Sequence, residues 1–202
     1  RLAATHSQNF EGWFASVPGV KVAVPSNPYD ALGLLRAAIA DPNPVIFAEH
    51  SMLYGRRGEV PEEPYVIPFG EAIVRREGKD VTLAAYGRMV YTSLEAAETL
   101  STQGVEAEVI DLRTLSPLDT DTVVQSVRKT NRVLVVEENW RTGAFSAEIA
   151  SAVHEEAFDD LDGPVGRVNG FDVPAPYNGT LEDASIPTAE RIIEELQRLY
   201  GI

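Results

Sequence analysis

The chain has 202 residues, 44% of them hydrophobic and 24% charged, with a formal net charge of −14. That length suits one large domain or two small ones with an ordinary core, and the charge makes nucleic acid and anionic membrane poor partners. There is no cysteine, which excludes disulfides, thiolate catalysis and Cys-ligated metals and fits a reducing cytoplasm.

The chain opens at Arg1, without Met, directly into dense sequence, and is expected to be part of a longer protein. Ser7 to Val17 predicts a short helix with Phe10, Trp13, Phe14 and Val17 on one face, stopped by Pro18-Gly19. Val20 to Val24 reads as a strand. Asn27-Pro28 starts a helix carrying Ala31, Leu34, Leu35 and Ala38 at helical spacing, and Val45 to Ala48 is a second buried strand. Strand, helix and strand at this spacing predict a parallel βαβ unit. Glu49 to Pro68 changes character, with Pro61, Pro64, Pro68 and charged clusters, and reads as an extended linker. A second α/β pattern follows. Strands are expected at 81–86, 105–112, 132–136 and 164–168, and helices at 90–103, 119–130, 145–158 and 188–200. This alternation predicts a mostly parallel sheet with helices on both faces.

No Gly-rich phosphate loop of Rossmann or Walker form is present, and no His pair has metal-binding spacing. Of three histidines, His154 sits mid-helix as a solvated or packed residue. His50 directly follows a strand, at the carboxyl edge where α/β sites usually lie. His6 precedes a helix. A ring there faces partial positive charge and can relay protons near neutrality, or it can simply cap the helix; the residues alone leave both open. Glu137-Glu138 and Asp111-Arg113 also follow strands, as acid/base groups or as salt-bridged loops.

The ordered strings are more specific. Thr5-His6-Ser7-Gln8, Val17-Pro18-Gly19-Val20-Lys21-Val22, Pro25-Ser26-Asn27-Pro28-Tyr29-Asp30-Ala31 and Asp41-Pro42-Asn43-Pro44-Val45 recur in one known family, as do Val109 to Asp119, Gly143 to Ile149 and Asp172 to Tyr177. Together they cover essentially the whole chain. The chain resembles the beta subunit of the thiamin-diphosphate-dependent first component of 2-oxoacid dehydrogenases, most like the pyruvate type, within the transketolase superfamily.

That resemblance implies the C-terminal part of a pyrimidine-binding domain (residues 1–50), an extended linker (51–67) and a transketolase C-terminal-type domain (68–202). The last is expected to have its own core and five strands, and to fold autonomously. It implies an α2β2 heterotetramer, with diphosphate and magnesium on the alpha subunit, the pyrimidine on the beta subunit, and two beta subunits paired about a twofold. The glutamate that activates the aminopyrimidine is expected before Arg1, so no cofactor-binding residue is assigned within these 202 residues. His6 matches the family's active-site histidine, a proton donor to a developing oxyanion or to the lipoyl dithiolane. Ala38, Ile39, Asp41 and Asn43 match a potassium site; a helix end offers free carbonyls there and Asp41 a formal charge. Asp162 and Ile202 match positions that dock the lipoyl acyltransferase component, with Ile202 at an exposed end near the Asp162 loop.

The expected function is oxidative decarboxylation of pyruvate with reductive acetylation of lipoyl groups. The fragment alone is expected to be inactive, in the bacterial cytoplasm rather than a mitochondrial matrix. Tyr177 to Pro187 favours the pyruvate type over branched-chain 2-oxoacid or acetoin dehydrogenases. An alternative of another class is a non-catalytic assembly fragment that only binds the alpha subunit and the acyltransferase.

Overall fold

In the computed structural model, which describes residues 5–202, a short helix α1 (Glu11–Ala15) precedes strand β1 (Lys21–Ala23). The next helix, α2 (Pro28–Ala40), has a well-made start. Asn27 accepts from the Asp30 amide at 2.9 Å, and Pro28 occupies the first helical position, where no amide hydrogen is needed. Strand β2 (Val45–Phe47) then pairs in parallel with β1, with Val22 opposite Ile46. The expected βαβ unit is present.

The segment 49–68 holds a single 3-10 turn at Ser51–Leu53 and no strand. Strand β3 (Ile73–Arg76) follows, then β4 (Val81–Ala85), α3 (Met89–Ser101), β5 (Ala107–Asp111), β6 (Thr114–Ser116), α4 (Thr120–Thr130) and β7 (Val133–Trp140). The chain ends with α5 (Phe145–Ala157), β8 (Gly166–Gly170), α6 (Gly179–Ser185) and α7 (Ala189–Tyr200). Five strands form one sheet in the order β3-β5-β4-β7-β8, parallel except for the antiparallel edge strand β3. Strand β6 leaves this sheet and pairs antiparallel with β1, so the small sheet runs β2-β1-β6.

Both faces of the large sheet are covered, which is why its central strands are buried almost throughout, and their polar side chains, such as Thr82, Asp111 and Glu137, are hydrogen-bonded. Successive side chains alternate between two cores. Leu83, Val109 and Leu134 meet Leu100 of α3 and Ile192 and Leu196 of α7 on one face. Ile110, Val133 and Val135 meet Val124, Val127, Ile149 and Val153 of α4 and α5 on the other. The second core also takes in Val22 and Val24, so it continues beneath the small sheet.

A buried ionic cluster crosses the same junction. Asp30 of α2 contacts Arg75 of β3 and lies 2.9 Å from the Arg113 guanidinium. Arg75 also donates to Asp111 at 2.9 and 3.1 Å, and the Ser26 hydroxyl donates to Asp111 at 2.5 Å. Asp111-Arg113 is therefore a structural junction, with Arg113 held at φ 61° in the left-handed region.

Several expectations need correction. The helix expected over Ser7–Val17 spans only Glu11–Ala15, so His6 lies five residues ahead of it rather than directly before its start. Glu137 and Glu138 belong to β7 itself. Strands β3 and β6 and helix α6 were not anticipated. Ile202 is half-buried and packs against the first core instead of standing exposed.

Candidate functional site

The carboxyl ends of β1 and β2 in the small sheet face those of β4 and β7 in the large one. Val24, Ala48, Glu49 and His50 from the first and Tyr86, Gly87, Arg88 and Glu138 from the second line one small cavity. The close approach depends on Gly87. Its φ is +55°, and an added Cβ would stand 3.3 Å from the Val24 side chain.

Above this junction opens a cleft of about 520 Å³, walled by His6 to Asn9, Glu49 to Met52, Arg88, Glu138 and, from α6, Glu182 and Asp183. His50 Nε2 lies 3.0 Å from Glu138 Oε2, and the Arg88 guanidinium is 3.8 Å from the other oxygen of Glu138. The Met52 amide donates to His50 Nδ1 at 3.2 Å. That assigns the neutral tautomer, with hydrogen on Nε2 and donated to Glu138. Both nitrogens of His50 are thereby engaged, and the ring acts as an orienting group for Glu138. His6, by contrast, is exposed in a turn on the cleft wall, free to meet a ligand.

Behind the His50–Glu138 pair the site is strongly acidic. Removal from water, with the nearby Glu137 and Glu138 carboxylates, pushes the Glu11 carboxyl up to about 7, against the opposing effect of its own amide. Burial, and then Glu137, raises the Tyr86 hydroxyl well above its ordinary value, and that hydroxyl donates to Glu137 at 2.7 Å. Glu182 is buried, with one carboxylate oxygen lacking a hydrogen-bond partner.

The other sequence-derived positions lie apart from the cleft lining. Asp41 accepts from the Asn43 amide and side chain at 2.9 and 3.0 Å and contacts the Lys21 ammonium, which holds its carboxyl below the ordinary range. The Ala38 carbonyl accepts the Asp41 amide at 3.4 Å, and Ile39 is exposed. A lysine ammonium thus stands where a cation was expected. Asp162 is exposed, 3.6 Å from Arg132. Among the described residues no group of three His, Asp or Glu side chains could hold a metal ion. Sequence reasoning singled out His50 and Glu138 separately, by their strand ends, and missed their pairing; it had no signal for Glu182.

Comparison with known proteins bears directly on this arrangement. The family model described as transketolase, C-terminal domain, matches residues 70–192, and the model for the transketolase pyrimidine binding domain matches residues 1–57. The chain belongs to the transketolase C-terminal domain family. It is 48% identical to the acetoin:2,6-dichlorophenolindophenol oxidoreductase subunit beta of Bacillus subtilis, over 100% of this chain and 59% of that protein. It is 45% identical to the pyruvate dehydrogenase E1 component subunit beta of Porphyra purpurea, over 100% of this chain and 61% of that protein. A split gene transketolase, described as an inactive beta4 tetramer, superposes with a TM-score of 0.76 at 29% identity, covering 96% of this chain and 62% of that one. The chain therefore spans about three fifths of the relatives it matches. The transketolase-like α/β architecture, with a pyrimidine-binding portion ahead of the C-terminal domain, is the one seen here.

Proposed function

We propose that this chain is the C-terminal part of a beta subunit of a thiamin-diphosphate-dependent dehydrogenase acting on pyruvate, divided near residues 50 and 67 into a pyrimidine-binding portion, a linker and a C-terminal domain. The observation that carries this reading is the likeness, over the whole of this chain, to part of a pyruvate dehydrogenase E1 component subunit beta, with His6 exposed on the cleft that joins both portions.

The donor set of the cleft decides which end of the cofactor it suits. Glu49, Glu138, Glu182 and Asp183 face it, and Arg88, the one Lys or Arg lining it among the described residues, is drawn toward Glu138. Such walls repel a diphosphate and attract a cationic ring. Diphosphate and magnesium would then belong to the alpha subunit of an α2β2 assembly. Thiamin diphosphate, when bound, supplies the nucleophile and electron sink for decarboxylation. From this chain, His6 would donate a proton to a developing oxyanion or to a dithiolane sulfur. His50 would fix Glu138, and the junction around Gly87 would keep water from the floor of the site.

Three further assignments belong to the same reading. Asp162, with Ile202 beside the final helix, would dock a lipoyl acyltransferase component, and exposure of Asp162 suits a charge contact that salt weakens. Two beta subunits would pair about a twofold. A potassium ion at Ala38, Ile39, Asp41 and Asn43 would have to displace Lys21 from Asp41; a thermal shift with potassium but not with lithium tests this. No helix among the described residues is long and apolar enough to cross a membrane, and a bacterial cytoplasmic setting is proposed over a mitochondrial one.

A second reading, acetoin as substrate, is favoured by the beta subunits of Bacillus subtilis and Cupriavidus necator, at 48% and 50% identity. Full-length protein reconstituted with its alpha subunit should reduce a dye acceptor with pyruvate and much less with acetoin; the reverse preference establishes the second reading. The 202-residue chain should be inactive alone. His6→Ala should depress lipoyl acetylation by about 100-fold or more while dye reduction falls less, in line with loss of one positioned proton donor. Equal turnover of the two proteins refutes the role.

A further inference from the structure

A second cavity, of about 530 Å³, lies where β8 and the residue after β7 meet one side of α7 from Arg191 to Arg198, and its chemistry is opposite to that of the cleft. Arg141, Arg167, Arg191 and Arg198 line it, against Asp172, Glu194 and Glu195. Four cations and three anions leave one positive charge there, on a chain whose net charge is −14.

Two of those three acids are already satisfied. Glu195 holds Arg198 in a bidentate pair at 2.7 Å, and Asp172 accepts from the Thr142 amide and hydroxyl at 3.0 and 2.8 Å. Glu194 is exposed. Arg141, Arg167 and Arg191 have no ion-pair partner within 4 Å among the described residues. Arg141 donates to the Arg167 backbone carbonyl at 2.6 Å, which brings the two residues together. Burial, and then the Arg141 charge, makes the Arg167 guanidinium easier to deprotonate than usual. Arg191 donates one nitrogen to the Asn169 carbonyl at 2.7 Å and lies 4.4 Å from the Phe171 ring centre, but its Nη1 is buried without any acceptor. An excess of positive charge whose guanidinium groups lack a direct ion pair, and a buried donor left unsatisfied, both disfavour the unliganded arrangement.

We infer that this arginine-lined cavity is an anion site for the phosphoryl group of a small molecule. Guanidinium forks match tetrahedral oxyanions through paired hydrogen bonds, and three of them can share one phosphoryl group. Arg191 covers one face of the Phe171 ring, and the convergent groups of the cavity are guanidinium donors, so recognition rests on the anion. This site is independent of the cofactor reading, since it shares no lining residue with the acidic cleft.

Calorimetric titration of the 202-residue chain with inorganic pyrophosphate tests the inference, in the absence of any alpha subunit that could contribute a diphosphate site. Saturable one-to-one binding is expected, weakened about tenfold or more in the double variant Arg141→Gln/Arg167→Gln, as removal of two charge-assisted contacts requires. Arg132→Gln, which removes an arginine outside the cavity, should bind within about twofold of the parent, because only general charge changes. Circular dichroism melts check that each variant is folded, and Arg167→Lys supplies a charge-conserving alternative with intermediate affinity. Absence of saturable binding, or equal loss in Arg132→Gln, overturns the site.

Discussion

Glu137 is wholly buried, yet four donors converge on it: the Tyr86 hydroxyl at 2.7 Å, the Phe145 and Ser146 amides at 3.2 and 2.8 Å, and Asn169 at 3.2 Å. It takes the place of an N-cap for α5, whose preceding residue Ala144 has no capping side chain. Glu137→Ala should therefore cost about 3 kcal/mol or more in urea unfolding, since it strands several buried donors; a loss under about 1 kcal/mol would show the network to be dispensable. Glu11 behaves oppositely. Its folded value of about 7 lies above the 4.5 of an unperturbed carboxyl, so the folded state binds more protons between those values and stability falls as pH rises through that window. Glu11→Gln removes that penalty. It should stabilise the chain by about 2 kcal/mol above pH 7, after discounting for the partial access of Glu11 to solvent, and by nothing at pH 4. Parallel melting curves across pH would sink this assignment. The pairing of His50 with Glu138 was not legible beforehand because 88 positions separate the two residues and only the sheet packing brings them together.

Helices with explicit punctuation were the legible elements. Asn27, Asp119 and Thr188 each accept an amide in the first turn of α2, α4 and α7, and the left-handed Asn131 and Gly201 end α4 and α7. The short strands carry no such signal. Ile73–Arg76 contains two arginines and is half-buried throughout, so its place at the sheet edge is set by distant partners: Asp30 and Asp111 for Arg75, Glu106 for Arg76. Thr114–Ser116 is specified by distant partners too: β1 opposite, the second core around Leu115, and the Gly70 amide that donates to the Thr114 hydroxyl. Asp119 joins both kinds of information. It caps α4 through the Thr122 amide at 3.0 Å and accepts the Ala72 amide just before β3 at 2.8 Å. Asp119→Ala should cost about 2 kcal/mol, more than an isolated cap, and hydrogen exchange should quicken in β3 as well as at the start of α4. Quickening confined to α4 would separate the two roles.

Across the whole molecule, the two cores of the large sheet differ in what they need from the rest of the chain. The face under α3 and α7 is built from Val81 onward, including Leu100, Leu134, Ile192 and Leu196. The face under α4 and α5 also buries Val22 and Val24, and beside it Asp30 of α2 is the shared partner of Arg75 and Arg113. A fragment of residues 68–202 would keep the first core intact. It would uncover part of the second, at roughly 1.5–3 kcal/mol for each large side chain fully exposed, and would leave Arg75 and Arg113 without Asp30. Strand β6 would also lose its partner strand, β1. The fragment is expected to fold with native-like helix content but to unfold at much lower urea than the 202-residue chain, with fast hydrogen exchange in β6 and slow exchange in β4 and β7. Asp30→Ala in the intact chain should reproduce part of that loss, about 3 kcal/mol, because it leaves two guanidinium groups facing each other around a vacated carboxylate. If the fragment matches the intact chain in stability, the junction contributes nothing to folding. If the fragment is unfolded, the first core alone cannot sustain the sheet. Intermediate stability with exchange loss confined to β6 and the edge at β3 is the outcome that the division between the two cores requires.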